Sequence, residues 1–249
     1  MKVYENLAPY YDRFMGHINY TAEAEAIYRF LFQRHTQKGK TLDVGCGSGG
    51  HLLPLLKSGV PTDGLDYSEG MCSLLKEKLK KERLTAEIHQ GDMREFDVTA
   101  KYDTIYAFGE TVHHLTDSTD LKAFFHCAYR ALKPGGCLLF TRQEAPYFEE
   151  LADYGDFFEQ HGEDYLLWHT ADFTEKAAEL AYTALIQKPD GTYHRLQETH
   201  RLAIYSETEI AKAIAETGFT LREDLEELCF SDILEDEPYK HVTVLEKAK

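Results

Sequence analysis

No stretch of the 249 residues approaches the roughly 18 apolar residues that a membrane-spanning helix needs, and Met1 to Tyr11 lacks the apolar core of an export signal. The sequence therefore reads as soluble and cytoplasmic. Cysteine is scarce: Cys46, Cys72, Cys127, Cys137 and Cys229 are odd in number and form no C-x-x-C pair, so neither a disulfide framework nor a structural zinc site is expected. The acceptor-like string Asn19-Tyr20-Thr21 has no use without secretion. Basic residues are in deficit, 27 Lys and Arg against 43 Asp and Glu, and a net charge of −16 repels phosphate backbones. DNA is not an expected partner. The one basic cluster, Lys76, Lys78, Lys80, Lys81 and Arg83, fits a solvated helix face. Internal repeats and low-complexity runs are absent as well.

What is present is apolar material for a real core, 43% of residues, in a chain long enough for one large domain with a modest insertion. Helical periodicity over Thr21–Gln33, behind a possible Thr21 cap, precedes a first strand at Thr41–Val44. Strands at 62–65, 86–90, 104–108 and 137–141 then alternate with helices at 51–58, 68–83 and 118–132. That alternation predicts an α/β fold with a parallel sheet covered on both faces. Past Arg142 the pattern changes. Residues 165–205 read as strands, with Pro189-Asp190-Gly191 as a hairpin turn, which predicts an antiparallel β lid inserted at 145–205. The α/β text resumes with a helix at 207–217, opened by Ser206 and stopped by Gly218, and strands near 219–222 and 241–245. Residues 1–144 and 206–249 are thus expected to form the main domain.

Gly45, Gly47 and Gly49 link the first strand to a helix, a geometry that lets a ligand approach main-chain N–H groups. Taken alone it is ambiguous, because Gly45, Gly47 and Gly50 also satisfy the dinucleotide fingerprint. Four strings in order are more specific. LDVGCGSG, GLDYSEGM (64–71), GDMREF (91–96) and LKPGG (132–136) closely resemble the successive motifs of class I S-adenosylmethionine (SAM)-dependent methyltransferases, and LAPYYDRF resembles the N-terminal segment of small-molecule members. The resemblance implies a Rossmann-like seven-stranded, mostly parallel sheet with its last strand reversed, and SAM as cofactor. It implies that Asp66 accepts both ribose hydroxyls, that Tyr67 and Met71 pack beside adenine and ribose, and that Asp92 and Met93 flank the adenine. It also brings Gly45, Cys46, Gly47 and Phe108 to the donor, sets Asp43 to hold the loop or meet the methionine amino group, and lays Tyr11 over the donor.

Methyl transfer is an in-line displacement at an activated carbon, so alignment matters more than a nucleophile, and a base is needed only for a protonated acceptor. Acceptors meet the carboxyl ends of the strands, which points to the exit of the fourth strand, AFGETVHHL (107–115). Glu110 and His113 are the candidate acceptor-positioning or basic groups there; of the adjacent His113 and His114, at most one faces the pocket. No metal-ligand spacing is present. The lid carries Trp168 and Arg201 as candidate acceptor contacts, beside Tyr165, His169, Tyr193, Arg195 and His200, of which alternation lets about half face inward. The expected partner is a small-molecule acceptor of unspecified atom. A SAM-binding module without catalysis, an NAD(P)-dependent oxidoreductase, and a tRNA or protein acceptor remain open alternatives.

Overall fold

The computed structural model describes residues 4–34, 39–222 and 239–249. Strands are numbered along the chain. Seven of them, β1 (Thr41–Val44), β2 (Thr62–Asp66), β3 (Ile88–Gln90), β4 (Tyr102–Ala107), β5 (Leu132–Gln143), β10 (Thr220–Arg222) and β11 (Lys240–Glu246), form one sheet in the order β10-β11-β5-β4-β1-β2-β3. The first five pair in parallel, and β11 runs antiparallel to both β5 and β10. All four residues of β1 are buried because helices cover both faces of the sheet. On one face, α5 (Ser118–Ala131) and α7 (Glu207–Thr217) pack Phe124, Phe125 and Ile214 against Phe140 and Leu245. On the other, α2 (Tyr20–Arg34) packs Ile27 and Phe30 against Tyr106, Leu139 and Val242.

Local signals set the helix ends. The Ser68 hydroxyl accepts the Met71 N–H to open α4 (Glu69–Glu82), Asp117 caps α5, and Ser206 with Glu209 forms a reciprocal capping box on α7, which Gly218 ends at φ 84°. One cap differs from the sequence reading: α2 starts at Tyr20, and the side chain of Asn19 rather than Thr21 accepts the Ala22 N–H at 3.2 Å. No described helix is long and apolar enough to cross a membrane.

A second sheet is antiparallel and follows chain order: β6 (Asp156–His161), β7 (Asp164–Thr174), β8 (Ala177–Gln187) and β9 (Tyr193–Ala203). The hairpin at Asp190-Gly191 closes through Lys188 N–H to Thr192 O at 2.8 Å, with Gly191 at φ 83°. Helix α6 (Ala145–Tyr154) and strand β6 precede it, and neither was evident in the sequence. Phe148 is the one fully buried side chain of α6, and the adjacent Phe157 and Phe158 of β6 break its period-two pattern, so neither segment carries a clean period. The buried face of the sheet, including Leu166, Leu180, Tyr182 and Leu202, packs on Phe148 and on Leu7 and Phe14 of the N-terminal segment. Arg13 of α1 (Tyr11–Phe14) pairs with Asp164 at the start of β7.

Candidate active site

Where β1 ends, the chain turns through Gly45, Gly47 and Gly49 at φ 74°, 49° and 90°, conformations that glycine adopts without strain. A Cβ on Gly45 would also lie 2.6 Å from Thr111, so the loop and the exit of β4 need this glycine to meet. The loop is tied to β2 by Gly45 and Cys46 N–H groups donating to Leu65 O at 2.8 and 3.1 Å. Asp66, the last residue of β2, accepts Gly47 N–H on one oxygen and Ser68 N–H on the other, both at 2.8 Å. Burial pushes its carboxyl above the usual range, against the pull of those N–H groups. A carboxylate has about four lone-pair sites, so two stay available to a ligand.

A cavity of 940 Å³ opens over this loop. Its wall includes Gly45, Cys46, Gly47, Asp66, Tyr67 and Met71, then Asp92 and Met93 after β3, and Phe108 and Glu110 after β4. Its roof is the N-terminal segment, through Tyr4, Tyr11 and Tyr20. Asp92 is held by Arg94, whose guanidinium also reaches Asp120 at 2.8 Å; burial pushes Asp92 up, but the Arg94 bonds prevail and hold it below the usual carboxylate range.

Polar groups crowd the end of the cavity near β4. Tyr147 of α6 donates to Glu110 Oε1 at 3.5 Å, and the Tyr11 and Tyr20 hydroxyls lie 3.2 Å apart. Burial, foremost, lifts Tyr20 to about 12. Glu23 lies between His51 Nε2 at 2.5 Å and Lys240 Nζ at 2.9 Å. Burial pushes Glu23 up, yet the His51 hydrogen bond and the charges of His51 and Lys240 bring it down to about 2. Gln143 contributes a buried carboxamide oxygen with no partner among the described residues.

Three expected site residues lie elsewhere. His113 is buried, with Nδ1 2.6 Å from Ala203 O and Nε2 accepting the Gln143 N–H at 2.9 Å, so both ring nitrogens are committed to the backbone. Burial pulls it down to about 4, and this neutral ring fastens β9 to β5 instead of facing the cavity, which His114 does. Trp168 stacks on Phe157 at 3.9 Å and on Tyr182 at 5.9 Å, inside the second sheet's own aromatic ladder and outside the cavity lining. Arg201 is the residue of that sheet that reaches the lining. Asp43 sits behind the loop, its Oδ2 buried and unpartnered among the described residues; burial pushes it up to about 7 despite the lowering influence of His51. Tyr4, Tyr20, Glu23, His51, Tyr147 and Lys240 were not anticipated. A weak signal existed for two of them, since Tyr20 and Glu23 start a helix that the sequence already places before β1.

Three backbone N–H groups of the roof converge on one side chain. Glu198 of β9 accepts the N–H groups of Tyr4, Asn6 and Leu7 at 2.8, 2.6 and 3.1 Å and pairs with His200 at 3.0 Å. Tyr4, at φ 57°, packs edge-on against Tyr11, His114 and His200. Away from the cavity, Asp63, Glu87 and His89 come within metal-ligand distance of one another, but Lys40 and Lys101 pair with both carboxylates.

Comparison with known proteins agrees with this geometry. Residues 41–136 match the model of a methyltransferase domain. A provisionally named methyltransferase of Geobacillus sp. (strain WCH70) is 28% identical over 222 residues, covering 88% of this chain and 90% of its own. Residues 41–136 are thus similar to a methyltransferase domain, and the whole chain shares the fold of SAM-dependent methyltransferases. Among relatives of stated activity, the dTDP-3-amino-3,4,6-trideoxy-α-D-glucopyranose N,N-dimethyltransferase of Streptomyces venezuelae is 32% identical over 121 residues, 49% of each chain. A SAM-dependent methyltransferase from Clostridium acetobutylicum shares the fold at a TM-score of 0.79 and 19% identity, with 99% of both chains covered. The methyltransferase cofactor is SAM, and the chain's residues fit it. The loop glycines allow a close approach to main-chain N–H groups, Asp66 retains lone pairs, and Tyr67, Met71, Asp92 and Met93 line the same cavity.

Proposed function

We propose that this methyltransferase acts on a small molecule that presents an amine to Glu110. The observation that carries the reading is the acidic end of the cavity, where Glu110 stands beside Tyr147 at the exit of β4 under a roof made by the chain itself. A closed roof of that kind suits an acceptor small enough to be enveloped, and a carboxylate suits a cation. The amino-sugar substrate named for the Streptomyces venezuelae relative supports the same class.

Bound here, SAM supplies an electrophilic methyl group whose carbon–sulfur bond breaks with both electrons leaving on sulfur. Asp66 would hold the ribose, and Tyr67, Met71, Asp92 and Met93 the adenine, while Tyr11 and Phe108 exclude water. Glu110 binds and orients the amine, and Arg201 offers a charge to an anionic substituent such as a diphosphate. Residues 145–205 serve chiefly as the support to which the N-terminal roof is fastened.

Calorimetric titration with SAM, S-adenosylhomocysteine, NAD and NADP, followed by a methylation assay with dTDP-3-amino-3,4,6-trideoxy-α-D-glucopyranose, tests the reading. Micromolar binding of the first two alone is expected, together with methylated product. Replacing Asp66 with Ala is expected to weaken SAM about tenfold or more through lost charged hydrogen bonds. Replacing Glu110 with Gln is expected to leave SAM affinity intact and raise KM for the amine. Equal KM in the two proteins would remove Glu110 from the acceptor site, and methylation of a reduced quinone in place of any amine would overturn the acceptor class.

A further inference from the structure

On the reading that the acceptor is an amine, it arrives protonated near neutral pH, and displacement needs its lone pair, so one proton has to leave first. Three groups near the exit of β4 could take it. His114 is a poor base, because burial pulls it down to about 3. Glu110 is the counter-ion of the amine. His51 has the geometry of a base.

His51 stands at the end of the glycine loop, immediately before α3 (Leu52–Lys57). Its ring is wedged edge-on between Tyr20 at 5.1 Å, Phe108 at 5.8 Å and Tyr106 at 6.4 Å, which fixes its plane. Gly50 makes room for this packing, since a Cβ there would lie 2.7 Å from the Tyr20 ring. Nε2 is committed to Glu23 at 2.5 Å, and the second oxygen of Glu23 is committed to Lys240 at 2.9 Å. With Glu23 ionised, Nε2 is the nitrogen that carries hydrogen, which leaves the lone pair on Nδ1. Among the described residues Nδ1 has no hydrogen-bond partner; it is not one of the buried unsatisfied atoms, and the ring lines the cavity.

We propose that His51 is the proton acceptor for the amine substrate, with Glu23 and Lys240 as positioning residues that set its tautomer and face its charge. The N–H bond of the ammonium breaks, its electrons remain on nitrogen as the lone pair that forms the new nitrogen–carbon bond, and the proton goes to Nδ1. The positive charge passes to the imidazolium, opposite the Glu23 carboxylate. The charged and titratable groups around the ring are Glu23 from α2, Lys240 from β11 on the far oxygen of Glu23, Asp43 from β1, and the rings of Tyr20 and Tyr106.

The first test needs no acceptor. Nitrogen-resolved imidazole NMR of the full chain with S-adenosylhomocysteine bound, assigned by loss of the signal in His51→Asn, should show Nε2 keeping its hydrogen across a pH titration while Nδ1 gains and loses one. Glu23→Gln should erase that preference. A neutral ring with hydrogen on Nδ1 in the parent protein overturns the proposal. In the second test, with the amino-sugar nucleotide above, His51→Asn should bind S-adenosylhomocysteine normally yet lose about 100-fold in kcat near neutral pH. The loss should shrink in alkaline buffer, where the amine deprotonates in water. A deficit of the same size at every pH marks a structural role and overturns the proposal. Should the parent protein leave that nucleotide unmethylated, the choice of acceptor fails, and the tautomer measurement still decides the role of His51.

Discussion

The strands of the seven-stranded sheet end in side chains that face a cavity, whereas the four-stranded sheet turns its aromatic residues on itself. Asp66 and Phe108 emerge at or just past the carboxyl ends of β2 and β4 and line the cavity, where a parallel sheet leaves its strand ends open. In the second sheet, Phe157, Trp168, Tyr182 and His200 form a continuous stack, and Arg201 alone reaches the cavity. That sheet acts at one remove: through Glu198 and Asp164 it holds the N-terminal segment, and the segment supplies the roof. An inserted sheet can thus shape a site chiefly through the segment it holds, with Arg201 as its own side chain at the cavity.

The sharpest break of this comparison is Glu198→Ala. It strips the shared acceptor from three N–H groups and from buried His200, and removal of one partner of a buried pair costs about 3–5 kcal/mol. Thermal unfolding should shift accordingly, with faster proteolysis before Tyr11 and weaker SAM binding; an unchanged melting temperature would sever the link between sheet and roof.

Asp43→Asn probes the other region, with the opposite sign. Its carboxyl is raised by burial to about 7 in the folded chain, against an unfolded value near 3.9, so the folded state holds a proton that the unfolded state has released between about pH 4 and 7. Stability from this group is therefore full below about pH 4 and lost as pH rises toward 7. The Asn variant should be more stable than the parent at pH 8, by on the order of 2–4 kcal/mol, and equal to it near pH 4. Because Asp43 lies behind the loop and outside the cavity lining, the same variant should bind SAM about as tightly as the parent. Urea midpoints at the two pH values, beside one titration, check both statements.

The two regions also differed in how far the sequence revealed them. The seven strands, the helix opened by Ser206, and the reversed final strand were legible because each rests on local periodicity, turn chemistry or an ordered motif. The clustering of Asp66, Met71, Met93 and Glu110 around one cavity follows from those strand ends. The inner and outer faces of the second sheet were not legible, because alternation tells which residues share a face and not which face is covered. The partners of Glu23 were out of reach for another reason: His51 is 28 positions away and Lys240 is 217, so their meeting depends on the completed fold. His113 was misjudged because a histidine beside a strand exit looks the same in sequence whether its nitrogens face a ligand or the backbone.

Trp168→Ala is the smallest of these changes and separates the two roles of the second sheet most cleanly. The ring is partly exposed, so its removal should cost about 2–3 kcal/mol, below the ~3–5 kcal/mol of a fully buried aromatic. The loss falls on packing against Phe157 and Tyr182, and the Tyr182 ring lies 4.7 Å from that of His200 and hence near the roof anchor. Affinity for SAM and KM for the amine should both stay close to the parent values at temperatures where the variant is folded. A rise in KM with no change in melting temperature would move Trp168 from the sheet's core to the acceptor site, and would restore to the inserted sheet the direct part in recognition that its aromatic composition first suggests.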